Sequence, residues 1–172
     1  MRDCNLRRIL PLAWLAAMTL PACQGFLSPR TPTSQPVPYP VSLMLPKSIG
    51  IHPFTGMRVF DEAGGIKGID VRIEVKDAYD DTTRAFGDFR FELYTFRAND
   101  IDPKGVKIAS WDVPLTDPKA NRLHWDNITR TYKFRLQWGQ AIAVGDRFVL
   151  LVTFSSPFTE RVFSERVFIA GQ

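Results

Sequence analysis

Apolar and polar residues alternate with a period of two through most of the chain beyond residue 47. Ile69, Val71, Ile73 and Val75 alternate with Asp70, Arg72, Glu74 and Lys76, the pattern of a strand with one buried face. Phe89, Phe91 and Leu93 alternate with Arg90 and Glu92, and Tyr132, Phe134, Leu136 and Trp138 with Lys133, Arg135 and Gln137. Ala109, Trp111, Val113 and Leu115 share one parity in a further strand, which Pro114 places near a sheet edge because proline cannot donate to a ladder. The run from Phe148 to Phe154 is apolar at both parities and predicts a central strand. Strands over 48–52 and 161–169 bring the number to seven. The last repeats Arg-Val-Phe at 161–163 and 166–168, an offset that puts the two copies on opposite faces unless a bulge intervenes.

The connections carry turn chemistry at Gly64-Gly65, Asp80-Asp81, Gly87, Pro103-Lys104-Gly105 and Gly145-Asp146. One short helix is predicted to start at Asp117, with Asp as the cap and Pro118 in the first turn. Together these predict an all-β fold, an antiparallel seven-stranded β-sandwich. The run from Asp61 to Tyr94, an acidic turn leading to a hairpin that ends in an aromatic-rich strand, resembles immunoglobulin-like and prealbumin-like sandwich modules. That resemblance implies an immunoglobulin-like sandwich, with Phe148 standing where a tyrosine corner is expected. It implies no function, because one fold hosts many activities.

The first 46 residues follow a different pattern. Arg2, Arg7 and Arg8 precede an almost wholly apolar stretch from Ile9 to Ala22, the layout of an export signal. The stretch is shorter than the roughly 20 residues of a spanning helix, and Pro11 and Pro21 bracket it. The segment Leu20-Pro21-Ala22-Cys23 resembles the lipobox of bacterial lipoproteins. The resemblance implies cleavage before Cys23, a diacylglycerol on its thiol and an acylated new N-terminus (palmitate being a common acyl group). Two or three chains hold a protein firmly at about 0.8 kcal/mol per buried methylene. Pro21 departs from the small or β-branched residue that the pattern favours. The alternative is an ordinary signal peptide with an incidental cysteine near the cut. Gln24, in place of an inner-membrane retention Asp, implies an outer membrane where the organism has one.

The domains expected are therefore a signal peptide at 1–22, a Pro-rich tether at 23–46 and the β-sandwich domain at 47–172. The tether carries Pro29, Pro32, Pro36, Pro38, Pro40 and Pro46 and is expected to be extended, twenty residues reaching roughly 60 Å. Proline-rich ligands for a partner's groove have the same composition. Cleavage also changes the charge: 22 basic and 18 acidic side chains become 19 and 17, so the formal +4 becomes +2. The remaining charges interleave instead of gathering on one face, which argues against nucleic acid as a partner. Cys4 leaves with the signal and Cys23 is used by the lipid, so no thiol remains for a disulfide.

Candidate chemistry is sparse. His52 and His124 are the only histidines and lie far apart, without the close spacing of zinc sites. Asp77, Asp80 and Asp81 offer oxygens to calcium, although acidic turn residues are common without it, and Asp100 and Asp102 break EF-hand spacing at Pro103. There is no nucleophile elbow, no paired-histidine zinc motif and no phosphate loop. No catalytic residue, metal ligand or cofactor is assigned. The chain reads as a lipid-anchored envelope protein, not an enzyme, whose partners are the membrane and an envelope protein or glycan. The alternative is a glycan- or peptide-binding module using Trp125, Tyr94 and Phe96, the aromatics that parity leaves free to be outside, although each can equally pack under a loop. A hydrolase has the least support.

Overall fold

The computed structural model describes residues 36–39, 41–59, 67–139 and 142–170. The signal segment, Cys23, most of the Pro-rich tether and the Gly64-Gly65 turn lie outside them. Among the described residues the chain forms nine strands and one α-helix: β1 (Ser48–Ile51), β2 (Gly56–Val59), β3 (Lys67–Lys76), β4 (Asp88–Phe96), β5 (Lys104–Pro114), α1 (Pro118–His124), β6 (Trp125–Asp126), β7 (Thr131–Trp138), β8 (Arg147–Ser155) and β9 (Val162–Ile169). All strand pairs are antiparallel. One sheet runs β1-β3-β7-β6 with β2 also on β3, and the other runs β5-β4-β8-β9. The fold is all-β. Each of the seven predicted strands overlaps an observed one, while β2 and β6 are additional. Both are short, and pairing with a neighbour defines them more than any alternation of their own.

The two sheets meet through aromatic side chains. Phe89 and Phe91 of one sheet lie 5.4 and 4.8 Å from Phe134 of the other, and Phe89 lies 4.9 Å from Phe154. Ile69, Val71, Ile73 and Val75 are fully buried beneath them. Burying each such side chain contributes about 1.5–3 kcal/mol, and tilted ring pairs add about 0.5–1.5 kcal/mol beyond area. β8 is central, as its two apolar faces predict: it pairs with both β4 and β9, and Val149 is buried on the face away from the core. β5 is an edge strand. β9 runs in unbroken register along β8, so Val162 and Val167 of the repeat face opposite sides, and Phe163 is exposed while Phe168 stacks on Phe148 at 5.5 Å.

β1 and β2 lie end to end along the same edge of β3, separated by a kink at residues 52–55. Thr55 fills the gap in the ladder. Its Oγ1 accepts from the Arg72 amide at 2.9 Å and donates to the Arg72 carbonyl at 3.2 Å, and the His52 amide reaches the same carbonyl at 2.8 Å. A hydroxyl thus replaces the missing backbone partner. The lateral seams are tied as well. The Ile51 amide donates to Ser164 Oγ at 3.4 Å and Arg166 to the His52 carbonyl at 3.3 Å, while Trp111 Nε1 donates to the Gln137 carbonyl at 3.1 Å on the far side. Such cross-ties occupy exposed strand edges.

Asp117 caps α1 by accepting from the Ala120 amide at 3.0 Å, with Pro118 in the first turn, as predicted. The helix places Asn121 over the buried hydroxyl of Tyr132, 2.9 Å away, and the Ala85 amide donates to that hydroxyl at 3.0 Å. Asn121 Nδ2 also donates to the Leu115 carbonyl at 3.1 Å. This network pins the turn before β4 to β7. Tyr132, not a residue of β8, therefore supplies the buried tyrosine hydroxyl. Tyr132→Phe leaves the Ala85 amide without that partner and is expected to cost about 1–3 kcal/mol, read by urea unfolding.

Burial pushes the Tyr132 hydroxyl above the ordinary tyrosine value. The folded chain then keeps a proton that the unfolded chain releases. This contribution to stability is complete below about pH 10 and is lost as pH rises through the higher folded value. Unfolding midpoints followed into the alkaline range should fall more steeply for the wild type than for Tyr132→Phe; parallel curves would refute the assignment.

The C-terminal part of the predicted tether is not extended throughout. Val41–Met44 form a 3-10 turn. The Leu43 carbonyl accepts from the Ala78 amide at 3.1 Å, the Met44 carbonyl from Thr83 Oγ1 at 3.0 Å, and Pro46 is buried. Side-by-side hydrogen bonding to the β3–β4 loop outweighs the extended preference of a proline-rich chain.

Candidate functional site

Sheet register sets two ends of the sandwich. Ser48 pairs with Lys76 and Asp88 with Ser155 at the end where the chain enters the domain. Lys67 pairs with Trp138, and Phe96 with Lys104, at the opposite end. A cleft of about 470 Å³ opens at this second end, lined by Thr95, Phe96, Ile108, Ile142, Arg147 and Phe148 among others. That volume falls in the range of small-molecule pockets.

The cleft is built by a local irregularity. The β4–β5 register shifts around Tyr94, and Thr95 Oγ1 accepts from the Val106 amide at 2.9 Å, so Ile108 joins the partly buried residues around the core. At Gly105 a β-carbon would collide with the Thr95 hydroxyl, which is why the start of β5 needs glycine there. The Arg147 guanidinium lies 4.3 Å from the centre of the Phe96 ring and has no carboxylate partner among the described residues. The cleft thus combines apolar walls with one cation, Arg147, and one carboxylate residue, Asp146, in its lining.

The three aromatics singled out in the sequence do not form one patch. Phe96 lines the cleft. Tyr94 lies on the outer face of its sheet, with the Lys107 ammonium 5.5 Å from its ring. Lys107 also holds Glu92, and this hydrogen bond keeps the Glu92 carboxyl below its ordinary value. Trp125 sits toward the other end, half-buried edge-on against Tyr132 at 5.0 Å and covered by Arg84 at 4.6 Å. Each of the three therefore carries a cation over one ring face, an arrangement worth about 0.5–1 kcal/mol when exposed. A sugar ring stacking on that face must first displace it.

The other candidates hold local structure. Asp77 Oδ1 accepts from the amides of Tyr79 and Asp81 at 2.9 and 3.1 Å, and Asp80 pairs with Lys76 at 3.0 Å. Asp80 has a positive φ of 66°, a conformation that Asp tolerates in turns. Among the described residues no group of three or more His, Asp or Glu side chains is placed to hold a metal ion. His52 Nδ1 accepts from the Phe54 amide at 3.3 Å. His124 stacks on Phe134 at 4.8 Å with its Nδ1 3.0 Å from the Lys133 carbonyl.

Asp126 accepts from the amides of Ile128 and Thr129 and pairs with Arg72 at 3.1 Å. The two amides are the main reason its carboxyl sits below the ordinary value. Sequence reasoning missed Arg147 because its meaning depends on Phe96, across the β4–β8 ladder. The chain matches no protein-family model, no curated protein and no solved structure.

Proposed function

We propose that the chain is a lipid-anchored cell-envelope lipoprotein whose immunoglobulin-like domain binds or scaffolds another envelope component without catalysis. The observation that carries this reading is Leu20-Pro21-Ala22-Cys23 placed directly after a basic start and an apolar run. The firm docking of Val41–Met44 supports a domain that begins close behind its tether. Mass spectrometry of the N-terminal peptide from membranes tests the reading. The expected species begins at Cys23 and carries diacylglycerol; a peptide that begins elsewhere without lipid overturns it.

A glycan- or peptide-binding module is the second reading, favoured by the cleft at Phe96 and Arg147. Among the three aromatics, Phe96 is the one to test first. Binding to a peptide or glycan library should be lost in Phe96→Ala and retained in Trp125→Ala. Retention in Phe96→Ala would remove the cleft from consideration.

A further inference from the structure

Several exposed apolar side chains lie at the end of the sandwich where the chain enters, as Ile101, Val106 and Val144 do at the other end. Tyr39, Met44 and Tyr79 are 79, 65 and 64% exposed, and Val41 is exposed beside them. Leu43 binds Ala78 through the backbone, so the 3-10 turn and the Tyr79 loop form one surface. A groove of about 250 Å³ continues it, running from Ser42, Leu45 and Ala78 to Phe158. Phe158 in turn contacts the exposed Phe86 at 5.7 Å. Isolated exposed apolar residues are ordinary, but a contiguous patch marks an interaction surface.

We propose that this end docks on the lipid bilayer, with Tyr39, Val41, Met44 and Tyr79 entering the headgroup region. The inference rests on the lipid anchor at Cys23. Twelve residues separate Cys23 from Pro36, the first described residue. At full extension they span only about 45 Å, so an anchored domain is held within that distance of the surface. Tethering raises the effective concentration of bilayer and patch to the order of millimolar, and weak docking then becomes well populated. Tyrosine suits the interface because its ring is apolar and its hydroxyl stays wet. Nearby Lys47, Lys76 and Arg84 are offset by Asp77, Asp80 and Asp81. Docking is therefore hydrophobic and independent of anionic lipid. It also turns the cleft at Phe96 away from the membrane.

The mature lipidated chain has no other cysteine, so single cysteines can carry an environment-sensitive dye. Tyr79→Cys and Val41→Cys should show blue-shifted, brightened emission when the lipidated chain is in phosphatidylcholine vesicles, with no change on adding salt. Val144→Cys, exposed at the opposite end, should show neither. Absence of the shift at 79 and 41, an equal shift at 144, or a shift that requires membrane extract proteins overturns the docking. A chain that starts at Gln24, with a histidine tag in place of residues 1–23 and held by it on nickel-chelating lipids, repeats the measurement without native lipid and without Cys4. Failure of the lipoprotein reading would thus appear as an unlipidated Cys23, and failure of docking as a silent dye in the tethered chain.

Discussion

Replacing Val71 by aspartate is expected to abolish the cooperative melt of the domain. Val71 is fully buried at the centre of β3, opposite Phe134 of β7, in a core of aliphatic and aromatic side chains. A carboxylate there loses its hydration and meets no cation; neutralised by a proton, it still lacks hydrogen-bond partners. Either form costs several kcal/mol, against a total stability of about 5–15 kcal/mol for a typical domain. The lost valine packing adds to the penalty. Glu74→Ala, three residues along on the solvent face, should shift stability by no more than about 0.5 kcal/mol. Circular dichroism melts of the two variants separate the faces of β3. A wild-type melt for Val71→Asp would refute the burial assignment.

Gly87→Ala should be the most damaging conservative change. Gly87 has a φ of 155° just before β4. A β-carbon there would run into the carbonyl oxygen of Ser155 and the ring of Phe154. Neither neighbour can yield readily: Ser155 is paired with Asp88, and Phe154 is fully buried against Phe89. The Gly87 carbonyl also accepts from the Leu115 amide at 2.8 Å, so moving the backbone breaks a second element. Overpacking costs about 1–3 kcal/mol and a strained backbone conformation a similar amount, for an expected loss of about 2–5 kcal/mol. Gly50→Ala is the control, since nothing lies within 4 Å of its β-carbon position. Equal urea midpoints for the two variants would contradict the account.

Much of the sheet framework was legible because it is written locally. The parity of Ile69 to Val75 fixed the buried face of β3, the two-sided apolarity of 148–154 marked a central strand, and Pro114 marked an edge. Asp117-Pro118 marked the helix start. What escaped depends on residues distant in sequence. β2 exists because β3 offers it an edge, and its break from β1 is bridged by Thr55, seventeen residues from its partner Arg72. The Tyr132 network joins residues 47 and 11 positions apart.

The candidate site was legible only in part, because parity says which face a side chain leaves from and not what covers it. Parity leaves Trp125 free either to face outward or to pack, and the structure packs it edge-on against Tyr132 with Arg84 over its ring. Phe96 was identified as an aromatic, but the cleft beside it arises from the shifted β4–β5 register, which alternation does not encode.

The central claim is the anchor, and Cys23→Ala tests it most directly. Wild-type and variant chains are expressed in a lipoprotein-processing bacterium and fractionated, with fatty-acid labelling of each band. The account predicts a processed, labelled wild type in the membrane fraction and an unlabelled Cys23→Ala chain that retains its signal segment. Normal processing of Cys23→Ala, with the same labelling and membrane fractionation as the wild type, would contradict it.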